Sequence, residues 1–416
     1  MKKAGLASAG GHSGTIAIVL AAVLILGVIA YAALGENSGT GKSTTGSTTS
    51  SSTTSPIRSS LTSTGTGAQT SRLGGVRLVA NISVSGEAGI AFDSANDKII
   101  VLEHFYSSEN SSTSKLAFID PATQRVIGSV NCTCGDRSST YGLTYDSGNG
   151  YLYTAAGDGV LAIDPLTGKT VANISIRVLG SSYPLGFDPV HDQIFVSNFL
   201  DSNAVISIID ASINKVKAVV TIPTNFTLGA PVGFAYDSLN HDMYFYQGGY
   251  LGVIDTSNDS IVGVQKLTTG PTMASVVYDP DNNLLYVTHC GCRVPLFGPG
   301  GVVGIDPQTF QVVANMSFEG SPNLLGLDTN TNLLYVANST ITSPVPNVAN
   351  PNHIVFNVTK GTVAIVVASN DTVVANPQIG IVPGVTGGGF AFDSTDGLMY
   401  VVANSYVYAF SAQTQG

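Results

Sequence analysis

The feature that most constrains this chain is a repeat. Seven aspartates, Asp93, Asp146, Asp188, Asp237, Asp279, Asp328 and Asp393, recur along the second part of the sequence, at intervals of about 42 to 65 residues, the range of propeller blades. Seven positions after each stands Ile100, Tyr153, Phe195, Tyr244, Tyr286, Tyr335 or Tyr400. The residues between are turn formers flanked by apolar runs, which reads as strand, turn, strand. A second half follows in most copies, as in KLAFIDPATQRVIGSV and GVVGIDPQTFQVVANMS, again with an Asp-centred turn between two alternating runs. Each unit is expected to be a four-stranded meander.

The first strand of each unit explains why such sheets stack in a ring. Two residues before the anchor the side chains are small (Ala91, Thr144, Gly186, Ala235, Gly326, Ala391), with Val277 the exception, and one residue before they are bulky (Phe92, Tyr145, Phe187, Tyr236, Tyr278, Leu327, Phe392). Successive strand residues point to opposite faces, so each sheet has a large face that fits the small face of its neighbour. The seventh unit lacks a last strand, and VRLVANISV at 76–84 matches TVANIS at 170–175 and VVANMS at 312–317. The N-terminal strand is therefore expected to complete the last blade and leave no open edge in the ring. In that strand Val76, Leu78, Ala80, Ile82 and Val84 are expected to share the inner face, and Arg77, Asn81 and Ser83 the outer one.

DPDNNLLYVTH followed by GVVGIDPQTFQVVAN, and DTNTNLLYVAN after it, resemble the YVTN-type β-propeller repeat over residues 76–416. The resemblance implies an all-β, seven-bladed propeller of a kind found mainly in cell-surface and secreted proteins, including archaeal surface-layer proteins, with no shared catalytic motif. The sixth unit departs from the pattern: Val367 stands where the others have Asp, and an insertion runs from about 339 to 360, so a looser turn is expected there.

Ahead of the repeats, residues 15–34 form twenty uncharged residues, about 30 Å as a helix and long enough to span a bilayer. Lys2 and Lys3 before it and Glu36 after it place residues 1–14 in the cytoplasm and the rest outside. Ala30 and Ala32 keep a cleaved signal peptide as the rival to a signal anchor. Between 38 and 71, 22 of 34 residues are Ser or Thr, too polar to build a core, so 35–75 reads as a disordered stalk. Ten N-x-[ST] sequons lie beyond the helix: Asn81, Asn110, Asn131, Asn173, Asn225, Asn258, Asn315, Asn338, Asn357 and Asn370. Asn81, Asn173 and Asn315 are the glycosylation candidates, because strand alternation turns them outward on outermost strands.

Charged residues make up 11% of the chain, net −10 and with no basic cluster, which argues against nucleic acid as a partner. There is no Trp, which quinone-dependent propeller dehydrogenases and Asp-box sialidases use in their repeats. HExxH, GxSxG and a phosphate-binding Gly loop are missing from the sequence. The Asp-rich turns lack the alternating pattern of a calcium loop, and Asx turns closing hairpins account for them.

The residues ending each second strand should line one mouth of the channel: His104, Ala156, Asn198, Gln247, His289, Asn338 and Asn404. Amides suit hydrogen bonding to a polar ligand or glycan, or simply capping strand ends. Two imidazoles without a carboxylate are a poor acid/base set, although Glu103 or Glu109 on the 103–114 loop offers one.

The four cysteines come as Cys132-x-Cys134 and Cys290-x-Cys292. Outside the membrane paired Cys default to disulfides, and the ring's width favours local pairing, 132 with 134 and 290 with 292. The alternative is a soft-metal site of Cys290, Cys292 and His289 for copper(I) or zinc. No cofactor is expected.

The sequence thus reads as a membrane-anchored, extracellular propeller that serves as a structural or recognition module in adhesion or envelope assembly. Its partners are the membrane through the N-terminal helix and a surface protein or glycan. Catalysis is not the expected role; the alternative is a propeller hydrolase, such as a lactonase, or a metal-dependent redox protein working at the channel mouth.

Overall fold

The computed structural model describes residues 73–414, apart from 86–88, 107–111, 133, 135–141, 157–158, 177–183, 201–202, 224–232, 248, 268–274, 290–299, 342–344, 348–349, 356–357, 380–388 and 404. The expected membrane helix and the stalk up to residue 72 lie outside the described residues, while 73–75, read with the stalk, open the strand Leu73–Ser83.

Every repeat is one antiparallel sheet whose four main strands follow chain order, except the last, and blade 6 adds a fifth short strand, Gln378–Ile379, beside Val358–Val367. Blade 5 is typical, with strands Val276–Asp279, Leu284–His289, Gly300–Ile305 and Val312–Phe318 from the axis outward. Numbering the blades 1 to 7 by their anchor aspartates, the first strand of each contacts the first strands of both neighbours. The contact between Gly389–Asp393 of blade 7 and Gly89–Asp93 of blade 1 shuts the circle. The fold is a seven-bladed β-propeller.

Its core is divided among seven seams, one between each pair of blades. The size rule read from the sequence is what fits them together. A methyl group on Gly186 of blade 3 would lie 2.8 Å from Cβ of Phe234 in blade 4, and one on Gly326 of blade 6 would lie 2.6 Å from the Phe390 ring in blade 7. Where the small position is Val277, the facing blade presents Leu325 in place of an aromatic ring, so the added bulk on one side is matched by less on the other.

The anchor aspartates are buried in all seven blades. Each turns back so that Oδ1 accepts the N–H two residues on, at 2.7 to 3.1 Å. Four residues after each anchor the backbone enters the left-handed region, at Asp97, Gly150, Asp192, His241, Asn283, Asn332 and Gly397. These are Asx turns. In blade 6 the turn after Val367 keeps a left-handed fourth residue, Asp371, but closes with Asn370 N–H on Val367 O at 3.2 Å, where blades 1, 2 and 5 close with the N–H four residues on at 2.8 to 2.9 Å. It lacks the carboxylate bonds that Asp120, Asp164, Asp210, Asp255 and Asp306 make elsewhere. The insertion in that blade forms a small hairpin, Val345–Asn347 with Asn350–Val355.

Closure is by strand exchange. Leu73–Ser83 pairs antiparallel with Tyr406–Thr414 and becomes the outermost strand of blade 7. The expected alternation along it fails at one point. Val79 is an extra residue between Leu78, opposite Phe410, and Ala80, opposite Ala409. The faces swap there: Val76 packs into the seam of blades 6 and 7, Leu78 is 40% exposed, and Ile82 and Val84 pack into the seam of blades 7 and 1. The same bulge recurs on every outer strand, at Ile127, Val171, Lys217, Val262, Val313 and Val374. A bulge twists an edge strand and breaks its ladder, a standard defence against edge-to-edge pairing.

Candidate functional site

The channel is built from the first strands, and these carry little chemistry. Their sequences, such as GIAFD, LGFD, GFAYD and VVYD, contain no charged residue except the anchor, and Oδ1 of that carboxylate is committed to its turn. Along blades 4 to 7 the wall opens into a cavity of 330 Å³ lined mainly by apolar and aromatic side chains, among them Phe234, Tyr236, Tyr278, Leu327, Phe390 and Phe392. The phenols that reach this wall are occupied: Tyr236 Oη lies 2.8 Å from His241 Nδ1, and Tyr278 donates to Asn283 Oδ1 at 2.8 Å. Burial, and then the facing Asp188 and Asp237 carboxylates of the preceding blades, push both phenols above their usual range. Neither phenol ionises near neutral pH.

At the end opposite the Asx turns, four of the seven mouth residues have described side chains. Asn198 is buried and accepts from Ser207 Oγ at 3.0 Å, Gln247 is buried at the end of Asp242–Gln247, and Asn338 donates to Glu319 O at 2.7 Å. The Asn198 bond joins two neighbouring strands of blade 3, and the Asn338 bond reaches the segment between blades 5 and 6. His104 and Ala156 lie on described strands, with nothing to add about their side chains, and Asn404 falls outside the described residues.

His289 and Asn338 are brought into one seam, between blades 5 and 6. The link is three glycines: Gly300 N–H donates to Gly320 O at 3.0 Å, a methyl group on Gly301 would sit on His289 Nε2, and one on Gly320 would lie 2.8 Å from Asn338 Oδ1. Gly320 also has φ +119°, open only to glycine. Burial lowers the His289 pKa, so the imidazole is neutral at pH 7. Asn338 Oδ1 is buried and has no hydrogen-bond partner among the described residues. The pair can accept or donate single hydrogen bonds, and among the described residues no carboxylate is bonded to either side chain. Glu103 does not supply one: its Oε1 accepts Ser85 N–H at 2.6 Å and its Oε2 pairs with Lys115 Nζ at 2.9 Å. It clasps the segment that leads from the closing strand into blade 1.

Cys132 and Cys134 are buried with their sulfurs together, Cα to Cα 5.1 Å, in the seam of blades 1 and 2. Cys290, Cys292 and Glu109 lie outside the described residues. Asn81, Asn173 and Asn315 are exposed on outermost strands, whereas the sequon at Asn338 is buried.

The sequence reading treated the recurring Tyr as a strand former only, and missed its hydroxyl. Tyr153 reaches Asn214 Oδ1 at 2.7 Å, Tyr286 reaches Ala368 O at 2.8 Å, and Tyr400 accepts from Gln124 Nε2 at 2.8 Å. Each bond crosses a seam to the outer turn of the next blade. The signal was available, since five of the seven positions are Tyr and a buried phenol needs a partner.

The class that this geometry defines is the seven-bladed propeller. Among solved structures it is similar to a chain of Kuenenia stuttgartiensis hydrazine synthase (15% identity, 80% of this chain and 97% of that chain covered, TM-score 0.57). It is also similar to the WD40 domain of Toxoplasma gondii coronin (12%, 83% and 88%, 0.59) and to the β-propeller domain of Myceliophteria thermophila Cps50 (Swd1) (13%, 81% and 100%, 0.53). At such identities the likeness concerns the fold. No family model and no curated protein matches the sequence.

Proposed function

We propose that this chain is a YVTN-type propeller held on the outside of a cell by its N-terminal helix, and that it works as a recognition or structural module of the surface, binding a surface protein or a glycan. The observation that carries this reading is where the polar groups go. Anchor carboxylates close turns, the repeated phenols at Tyr153, Tyr286 and Tyr400 tie blades together, and the mouth amides of Asn198 and Asn338 bond to neighbouring groups of the scaffold. That is the inventory of a scaffold that presents loops, on which function sits. A redox or hydrolytic reading rests on His289, whose neutral imidazole stands next to Cys290 in sequence.

Protease added to intact cells tests the location: the propeller is expected to be shed by cuts between residues 38 and 71, and full protection would contradict it. Peptide mass mapping of the shed material is expected to find glycans at Asn81, Asn173 or Asn315 and none at Asn338. Three bare sites would remove the glycoprotein reading.

A further inference from the structure

Each anchor aspartate spends Oδ1 on its own turn, which leaves Oδ2 to be satisfied. In five blades the residue three positions on does so: Asn96 Nδ2 at 2.8 Å from Asp93, His191 Nδ1 at 2.7 Å from Asp188, Asn240 Nδ2 at 2.9 Å from Asp237, Asn282 Nδ2 at 2.7 Å from Asp279 and Thr331 Oγ1 at 2.6 Å from Asp328. Asp146 and Asp393 differ. Both side chains are fully buried, and neither Oδ2 has a donor among the described residues. In blade 2 the amide that would serve, Asn149 Nδ2, is turned away to Tyr153 Oη and Ala211 O. In blade 7 the position is Asp396, which brings charge of the same sign.

Those two blades share two further features. Four residues after the anchor they carry glycine, Gly150 and Gly397, and at that position the next blade carries an aspartate, Asp192 in blade 3 and Asp97 in blade 1. Asp192 lies across the seam from Asp146. A methyl group added to Gly148 would be 3.1 Å from Asp146 Oδ1 and 3.5 Å from Asp192 Oδ1, so both carboxylates border the space that this glycine leaves. Asp192 Oδ1 is itself buried without a partner among the described residues. A buried carboxylate oxygen without a donor, beside a second carboxylate, is short of a positive charge.

We propose that the seam between blades 2 and 3 binds a hard divalent cation of calcium type between the carboxylates of Asp146 and Asp192, and that the seam between blades 7 and 1 binds a second one, more weakly, between Asp393 and Asp97. All-oxygen donors select a hard ion. Two side chains completed by water suit calcium, which tolerates irregular coordination, better than magnesium, which demands a strict octahedron. The site joins turns of neighbouring blades, which is why no single loop carries a calcium pattern. Asp97 is exposed where Asp192 is half-buried, which makes the second site the weaker. The ion would bridge blades of one ring, wherever in or outside the cell the propeller resides.

The test uses the full-length protein, stripped with chelator, in thermal unfolding and direct calorimetric titration with calcium chloride and magnesium chloride at fixed ionic strength. Calcium is expected to raise Tm saturably, with half-saturation at roughly 10⁻⁴ to 10⁻³ M as in weak extracellular modules, and magnesium to do so less. Asp192→Asn should weaken the tighter event at least about tenfold, since it removes a ligand charge. Its amide can donate to Asp146 Oδ2, so the metal-free variant should melt higher than the metal-free parent. Asn tolerates the left-handed backbone at this position, so folding is not at risk. Asp97→Asn should remove only the weaker event. Calcium titration of Asp192→Asn indistinguishable from the parent would overturn the proposal. So would a metal-insensitive Tm that falls as pH rises from about 5 to 7, the mark of a proton shared between the two carboxyls.

Discussion

Blade 7 and blades 1 to 6 solve the same packing problem with different covalent connections. In blades 1 to 6 the third strand runs through a tight turn into the fourth. In blade 7 the third strand, Tyr406–Thr414, has no such turn, and Leu73–Ser83 arrives from the other end of the chain. The difference shows at the seam in front of it. Tyr286 of blade 5 bonds the outer turn of blade 6 through Ala368 O, and Tyr400 of blade 7 bonds that of blade 1 through Gln124. Tyr335 of blade 6 faces a blade without that turn, and its buried hydroxyl has no partner among the described residues. Burial, with Asp328 beyond it, raises its pKa. Strand exchange closes the circle but leaves one lock without its keeper.

The sharpest way to break the comparison is to remove the exchanged strand. A chain beginning at Ser85 loses the ladder to Tyr406–Thr414 and the burial of Ile82 and Val84. Hydrogen bonds at roughly 0.5 to 1.5 kcal/mol each, plus apolar burial, rival a domain's whole stability of roughly 5 to 15 kcal/mol. The expected outcome in circular dichroism melts is loss of the cooperative transition, while a chain beginning at Leu73 keeps it.

The tyrosines sharpen the contrast at smaller scale. Tyr286→Phe removes a bonded buried hydroxyl and should cost about 0.5 to 1.5 kcal/mol in denaturant unfolding. Tyr335→Phe removes an unbonded one and should be neutral or stabilising, because the parent already bears the desolvation of that group. Equal costs would mean that the seam before blade 7 is not different.

Much of this was legible in the chain. The Asp anchors, the small and large positions around Gly186 and Gly326, and the strand shared by both ends came from spacing and alternation. Val79 did not, because a bulge is one extra residue in a pattern read as strict period two. The acid pair Asp146 and Asp192 was hidden for another reason: the two lie 46 residues apart, in the turns of successive blades, and only the ring makes them neighbours. Of the mouth, the amides were found by position, but their inward bonds depend on Ser207 and Glu319 O, partners that no local pattern announces.

The smallest expected effect lies in blade 4, which keeps its turn. Burial, then Asp255 and Asp237, push Asp242 up to about 6. The folded state therefore holds a proton that the unfolded chain releases near its ordinary pKa. This contribution is complete at low pH and is lost as pH rises through about 6. Asp242→Asn should flatten that part of the stability profile in denaturant melts run between about pH 4 and pH 7. An unchanged slope would assign the pH dependence to other groups.

The claim that everything else depends on is that residues from the two ends of the repeat region form one sheet. Amide hydrogen exchange on the full-length protein reads it directly, peptide by peptide. The account predicts that amides within 76–83 are as slow as those of 406–412, and that both sets open together when denaturant is added. Fast exchange across 76–83 beside a protected Tyr406–Thr414 would contradict the closure and leave blade 7 with three strands.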